Sequence, residues 1–100
     1  MISAELTIIP IGTGKTGISK YIAAAVLALD EIGIKYEING MGTLIETDDI
    51  DKLFDAMKAA HEAVFREGIK RVATDIKIDD RRDVEKTLKE KIVSVKEKLR

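Results

Sequence analysis

A glycine-centred turn lies in the middle of a regular alternation of strand-like and helix-like segments, and this pattern constrains the fold most. Residues 40–46 have the sequence Gly-Met-Gly-Thr-Leu-Ile-Glu, with two glycines around one residue. Glycines can adopt the positive φ that tight hairpin turns require, so we expect positive φ here. Residues 34–39 alternate apolar and polar side chains, and residues 44–47 are short and β-branched. The stretch therefore predicts a β-hairpin.

One more strand and one more helix are predicted before the hairpin. Residues 2–9 alternate with period two, and Pro10 is expected to end this strand because it cannot donate a ladder hydrogen bond. A helix is predicted from about Ser19 to Ile32, with Ser19 as its N-cap and Gly33 as its stop.

The second half of the chain repeats the order of helix and strand. A second helix is predicted after a cap at Thr47 or Asp48, and Gly68 should stop it. Residues 71–79 alternate again and predict a fourth strand. Asp80 is then expected to cap a last helix that runs through Leu99, with a narrow apolar stripe formed by Val84, Leu88, Ile92, Val95 and Leu99.

This order predicts an α+β fold, a ferredoxin-like βαββαβ sandwich with a four-stranded antiparallel sheet and an extra C-terminal helix. Residues 1–100 are expected to form a single ferredoxin-like domain. Both helices should cover one face of the sheet and leave the other open. By strand parity the open face receives Glu5, Thr7, Ile9, Ile11, Leu44, Glu46, Asp75 and Lys77. Such a mixture of apolar and charged side chains indicates a surface covered by a ligand, by another subunit, or by both.

The composition excludes several classes of function. The chain is 45% hydrophobic and 35% charged, with a formal charge of -1, so no overall basic field would attract nucleic acid or anionic lipid. Because the chain has no cysteine, disulfides, thiol catalysis and cysteine zinc sites are excluded. No apolar run approaches the length of a membrane span and no signal peptide is evident, so the cytosol is the expected compartment.

Two motifs have ordinary interpretations. Residues 9–16 resemble a Walker A loop, but Ile9 stands where the first glycine is required, so a nucleotide site is not expected. A glycine-rich lip near a binding cleft, or a plain connection, is the alternative. His61, the single histidine, lies on an apolar helix face and is interpreted as a packed side chain, since no second histidine or cysteine exists to build a zinc site with it.

Several stretches together resemble one known family. They are Ile-Pro-Ile-Gly-Thr-Gly at residues 9–14 with Ser19 opening a helix, residues 42–46, His61-Glu62, Arg71-Val72, and residues 76–81. This pattern is similar to the small thiamine-binding protein family. The resemblance implies a ferredoxin-like protomer, homo-oligomeric assembly, and non-catalytic binding of thiamine or its hydroxymethyl-pyrimidine moiety. The mixed open face of the sheet and the narrow apolar stripe of the last helix predict an even-numbered oligomer, a dimer or tetramer. Thiamine or the related pyrimidine would be a ligand rather than a cofactor.

That ligand can be compared with the residues available. An aminopyrimidine and a cationic thiazolium require a carboxylate, hydroxyl or amide partners, and apolar walls. The predicted ligand-binding residues are Thr7, Ser19, Asn39, Thr43, Glu46 and Lys77, with Ile9, Ile11 and Leu44 as walls; no catalytic or metal-binding residue is predicted. The alternative for Glu46 is a purely structural ion pair with Lys77.

Other classes of function are weighed against this hypothesis. An oligomeric regulatory domain that senses a different small metabolite is the main alternative. An acylphosphatase-like enzyme lacks the required arginine in a glycine-rich loop, and a copper chaperone lacks paired cysteines. An RNA-binding module would need aromatic side chains on the exposed central strands, where Thr7, Ile9, Asp75 and Lys77 are expected instead.

Overall fold

The computed structural model describes residues 1–99 and contains four strands and three helices. In chain order they are β1 (Ile2–Ile11), α1 (Ser19–Ile32), β2 (Lys35–Asn39), β3 (Gly42–Thr47), α2 (Ile50–Phe65), β4 (Arg71–Asp80) and α3 (Leu88–Lys98). The strands form one antiparallel sheet in the order β2-β3-β1-β4. The predicted ferredoxin-like fold with an added C-terminal helix is therefore confirmed.

The core lies between the sheet and the layer formed by α1 and α2. The even-numbered residues of β1 from Ile2 to Ile8 are buried, as strand parity predicts for the covered face. Leu29, Leu53 and Val64 from the two helices have no exposed surface. Small side chains fill the remaining helix positions of the core, and their size lets the helices pack closely: Ala25, Ala28, Ala56, Ala60 and Ala63.

β1 continues two residues past the predicted end. Pro10 lies within the strand, opposite Val72 of β4, so the prediction that it ends the ladder is wrong. The physical reason lies on the other side of β1, where the pairing with β3 stops at Leu6. Beyond that residue β1 has one neighbour instead of two, and a proline is tolerated where a strand edge is free.

Three predicted helix caps are also wrong. α1 has Ile18 at the N-cap position, so Ser19 is the first helical residue. α2 is capped by Asp49, whose carboxylate accepts from the N–H groups of Asp51 and Lys52 at 2.9 and 3.2 Å. Asp80 caps nothing because β4 runs through it, and seven residues separate the end of β4 from the start of α3.

The N-cap of α3 is Thr87, whose hydroxyl accepts from the Glu90 N–H at 3.1 Å. Val84, expected in the apolar stripe of this helix, therefore lies outside it.

Gly42, the second glycine of the hairpin, acts by its small size rather than by positive φ. Within residues 1–99 the positive-φ residues are glycines at positions 12, 14, 33 and 68, so the expectation for Gly40 and Gly42 is wrong. Gly33 does end α1 at φ 80, as predicted. A Cβ on Gly42 would lie 3.2 Å from the Leu6 carbonyl oxygen and 3.3 Å from Thr7 Oγ1. The close approach of β3 to β1 thus requires glycine at position 42.

Candidate functional site

The sheet face opposite α1 and α2 carries three rows of side chains that cross the strands. The register pairs residues directly opposite each other, and such partners point to the same face. We name each row by one residue. The Glu46 row is Lys35, Glu46, Ser3 and Asp79; the Lys77 row is Glu37, Leu44, Glu5 and Lys77; and the Thr7 row is Asn39, Gly42, Thr7 and Asp75.

α3 lies across the Glu46 row. The Leu88 N–H, in the first turn of the helix, donates to Glu46 Oε1 at 2.6 Å. One turn later, Lys91 Nζ donates to Asp79 at 2.7 Å and to Ser3 Oγ at 3.3 Å. The face predicted to be open is therefore covered at one end, and Ser3 and Glu46 are 4% and 8% exposed.

Glu46 is the one charged residue among the buried side chains of residues 1–99. Its Oε2 atom lies 2.9 Å from Lys35 Nζ. The Lys35 ammonium is therefore the partner of Oε2, and its side chain is 70% exposed. A buried carboxylate oxygen held by an exposed lysine is a candidate acceptor for a ligand.

Two opposing effects set the pKa of Glu46. Burial acts to raise the pKa, because it disfavours the charged carboxylate. The Leu88 N–H, the Lys35 ammonium and the charge of Lys91 act to lower it, and together they hold the pKa below the ordinary value of 4.5. Glu46 is therefore a buried anion at neutral pH, able to accept a donor or to face a cation.

Most of the predicted ligand-binding residues lie on this face of the sheet, in different rows. They occupy successive rows, with Glu46 in the first, Lys77 in the second, and Thr7 and Asn39 in the third. The first and third rows are about 13 Å apart along the strands. The Asn39 side chain accepts from the Met41 N–H at 3.2 Å, within the hairpin turn.

Two predicted residues lie elsewhere. Thr43 is paired with Leu6 and is buried on the face covered by α1 and α2. Ser19 is exposed at the start of α1, beside an apolar groove between that helix and β2. The structure thus brings neither of them next to Glu46.

The residues that contact Glu46 were not predicted. Its ion-pair partner is Lys35 rather than Lys77, which lies two strands away in the next row. The sequence held a signal for this pair, because a two-residue turn between Asn39 and Gly42 places Lys35 directly opposite Glu46. No local pattern indicates the contact from the Leu88 N–H, which comes from 42 residues further along the chain, or the nearby charge of Lys91.

In residues 1–99 no three acidic, histidine or cysteine side chains cluster closely enough to hold a metal ion. None of the helices in that part of the chain is long and apolar enough to cross a membrane. His61 packs edge-on against Phe65 with ring centroids 5.2 Å apart, and its Nδ1 lies 2.6 Å from Thr74 Oγ1, in keeping with a packed side chain.

The fold and this site together define a ferredoxin-like domain whose sheet carries a buried carboxylate beneath an added C-terminal helix. The family model described as "Thiamine-binding protein" matches residues 4–96. The chain belongs to this thiamine-binding protein family, as the sequence resemblance indicated.

Related proteins span almost the same length as this chain. A UPF0045 protein of Methanothermobacter thermautotrophicus is 58% identical and covers 99% of this chain and 100% of its own. The UPF0045 protein YqgV of Bacillus subtilis is 47% identical over 99% and 98% of the two chains.

Solved structures support the fold. The structure of MJ1052 from Methanocaldococcus jannaschii has a TM-score of 0.86 and 38% identity, and 96% of each chain is covered. A structure from Thermotoga maritima, whose description proposes a role in thiamine biosynthesis or salvage, has a TM-score of 0.75 over 94% and 97% of the chains. At 19% identity it supports the fold alone.

Proposed function

We propose that this protein binds a small amine-bearing or cationic heteroaromatic molecule, thiamine or its hydroxymethyl-pyrimidine moiety, without catalysis. The observation that carries the proposal is the buried, ionised Glu46 carboxylate, one oxygen of which is paired with the exposed Lys35 side chain. An exocyclic amine would donate to that oxygen, and a thiazolium nearby would be attracted by the same charge. Membership of a thiamine-binding family supports this ligand class.

Calorimetric titration tests the role of Glu46. Wild-type protein, Glu46→Gln and Glu62→Gln are titrated with thiamine and with its pyrimidine. Glu62 is exposed on α2, on the far side of the molecule, and controls for the loss of one negative charge. Charge-assisted hydrogen bonds contribute about 1.5–3 kcal/mol, so Glu46→Gln should weaken binding about tenfold or more. Equal affinities in all three proteins would reject Glu46 as a ligand-binding residue.

A second candidate is an oligomeric regulatory domain that senses another small metabolite. Charges of both signs favour it, because Glu5, Lys77 and Lys91 line the same small cavity beneath α3 and would suit a zwitterion. A thermal-shift panel of thiamine, its phosphates, its pyrimidine and amino acids separates the two functions. Stabilisation by amino acids alone would select the second.

We also propose that the protein is a homo-oligomer, a dimer or tetramer, in the cytosol. Three apolar side chains of α3 and that of its C-cap residue are more than half exposed: Ile92, Val93, Val95 and Leu99. Ile9 and Ile11 are exposed at the uncovered end of the sheet. Both surfaces are more apolar than a small monomer requires.

The charges on α3 favour the sheet of a second copy over a second α3 as the partner. Lysines flank the apolar stripe on both sides, at positions 89, 91, 96 and 98. Two such stripes packed together would place lysine against lysine in either orientation. Asp75, on the Thr7 row of the sheet, supplies an opposite charge.

Light scattering tests the assembly, since a monomer has a mass of 11.1 kDa. Ile92→Ser with Val95→Ser should lower the mass to that of the monomer. Leu27→Ser, which removes an exposed apolar side chain from α1, should not. A monomeric wild-type protein at micromolar concentration would reject the proposal.

A further inference from the structure

Two small cavities lie on either side of Leu88 beneath the start of α3. The first has a volume of about 200 Å³ and is lined by residues that include Ser3, Glu5, Lys77 and Lys91. The second has a volume of about 190 Å³ and includes Glu46 and Lys35. Leu44 from the sheet and Leu88 from the helix line both cavities, so these two side chains form the partition between them.

Each cavity is smaller than the roughly 300–1,000 Å³ of typical small-molecule sites, but together they approach 400 Å³. We infer that they are two halves of one ligand site, which opens when Leu88 and the first turn of α3 move off Glu46. This inference takes its ligand class, an amine-bearing or cationic heteroaromatic molecule, from the proposed function. The opened site would hold Glu46 and Lys77 in a single cavity.

The attachment of α3 is suited to such a movement. None of its residues is buried, so its release would expose little additional apolar surface. It follows residues 81–87, which belong to neither strand nor helix. Its contacts with the Glu46 row are the Leu88 N–H and the Lys91 side chain. The Lys91–Asp79 pair is partly exposed, and such pairs contribute little to stability.

Opening of the site would let Glu46 exchange one hydrogen-bond donor for another. In the covered form its Oε1 atom accepts from the Leu88 N–H, and its Oε2 atom is paired with Lys35. When the site opens, the Leu88 N–H would hydrogen-bond to water, and the amine of a bound ligand would donate to the carboxylate in its place. The carboxylate therefore has a hydrogen-bond donor in the covered form and in the ligand-bound form, so neither of these bears the full penalty of an unpaired buried charge.

This arrangement predicts that a weaker attachment of α3 increases the affinity for the ligand. If the covered form predominates, the apparent affinity is reduced by the fraction of molecules that are open. Substitutions that loosen α3 should then strengthen binding, although they remove native contacts. If α3 were instead a fixed wall of the site, the same substitutions would weaken binding.

Opening can be measured without any ligand, because the chain contains no cysteine. Ser3→Cys places a thiol at a position that is 4% exposed and lies beneath Lys91. The rate of thiol labelling then reports release of α3. Lys91→Ala and Leu88→Ala should each accelerate labelling roughly two- to fivefold, the change expected when a weak surface contact is lost. Lys96→Ala, on the exposed end of the same helix, should leave the rate unchanged.

Titration with thiamine completes the test, in the same variants without the cysteine. Lys91→Ala and Leu88→Ala should bind thiamine roughly two- to fivefold more tightly than wild type, and Lys96→Ala should bind as wild type does. Leu88→Ala is the decisive variant, since it changes no charge. Unchanged labelling in both loosened variants would overturn the inference, and so would faster labelling combined with weaker thiamine binding. Faster labelling with no thiamine binding in any variant would leave the opening supported and reject thiamine as the ligand.

Discussion

Replacing Glu46 with glutamine should destabilise the protein at pH 7, and the loss of stability should shrink as the pH falls below 4.5. Glutamine keeps the shape and can accept from the Leu88 N–H, but it loses the charge that faces Lys35 and Lys91. A hydrogen bond to a charged group contributes about 1.5–3 kcal/mol and a neutral one about 0.5–1.5 kcal/mol. We therefore expect the free energy of unfolding to fall by about 1–1.5 kcal/mol, with little added by Lys35, whose side chain is 70% exposed.

The pH dependence follows from the direction of the pKa shift. Because the folded pKa of Glu46 lies below 4.5, the carboxylate contributes its full stabilisation above that pH. The contribution is lost as the pH falls through the folded pKa, where the wild-type side chain becomes neutral like glutamine. The stability curves of the two proteins should therefore separate above pH 4.5 and converge below it.

Urea unfolding followed by circular dichroism, repeated from pH 7 down to pH 3, measures the difference. A loss of about 1 kcal/mol corresponds to roughly 4–8 °C in Tm for a domain of this size. Glu62→Gln, on the exposed face of α2, serves as the control and should show no such difference. If the free energies of unfolding of wild type and Glu46→Gln differed by the same amount at every pH, the reasoning would be refuted, because the difference would not come from the charge.

Three further substitutions test the local structure. Gly42→Ala should lower the free energy of unfolding by about 1–3 kcal/mol, because the new Cβ would lie 3.2 Å from a backbone oxygen. Gly40→Ala, whose Cβ meets open space, should lower it less when both are measured by chemical denaturation. Asp49→Ala should cost about 1 kcal/mol through loss of the α2 cap, and Asp48→Ala should not. Thr87→Ala should accelerate amide hydrogen exchange in α3 about fivefold by removing its cap, with little change in the exchange of the core strands.

The periodicity of the sequence predicts most of the fold because each element presents one buried face. Strand parity places Ile45 in the core and Glu46 on the opposite face, and both positions are confirmed. The helix layer is less well predicted. Phe54, a large apolar residue of α2, is 46% exposed, whereas the small residues Ala56 and Ala60 of the same helix are fully buried. Large apolar residues dominate a helical pattern, but close helix packing favours small ones.

The surroundings of Glu46 could be predicted in part. Its partner Lys35 follows from the register of a short hairpin, which is a local property of the sequence. The cover formed by α3 does not follow, because three polar contacts hold it and no buried apolar residue marks it. Because α3 does not bury its apolar stripe, the periodicity of the sequence does not indicate which surface of the domain the helix packs on.

The position of β1 in the sheet affects how the chain must fold. This strand comes first in the sequence yet lies between β3 and β4, and its pairing with β4 joins Ile2 to Asp80. Contacts between such distant residues close large loops and slow folding, whereas the β2–β3 hairpin can form locally. During synthesis one edge of β1 stays unpaired until β4 has been made, and an unpaired edge is prone to association with other chains. The first strand to be synthesised is therefore the last to gain both of its neighbours.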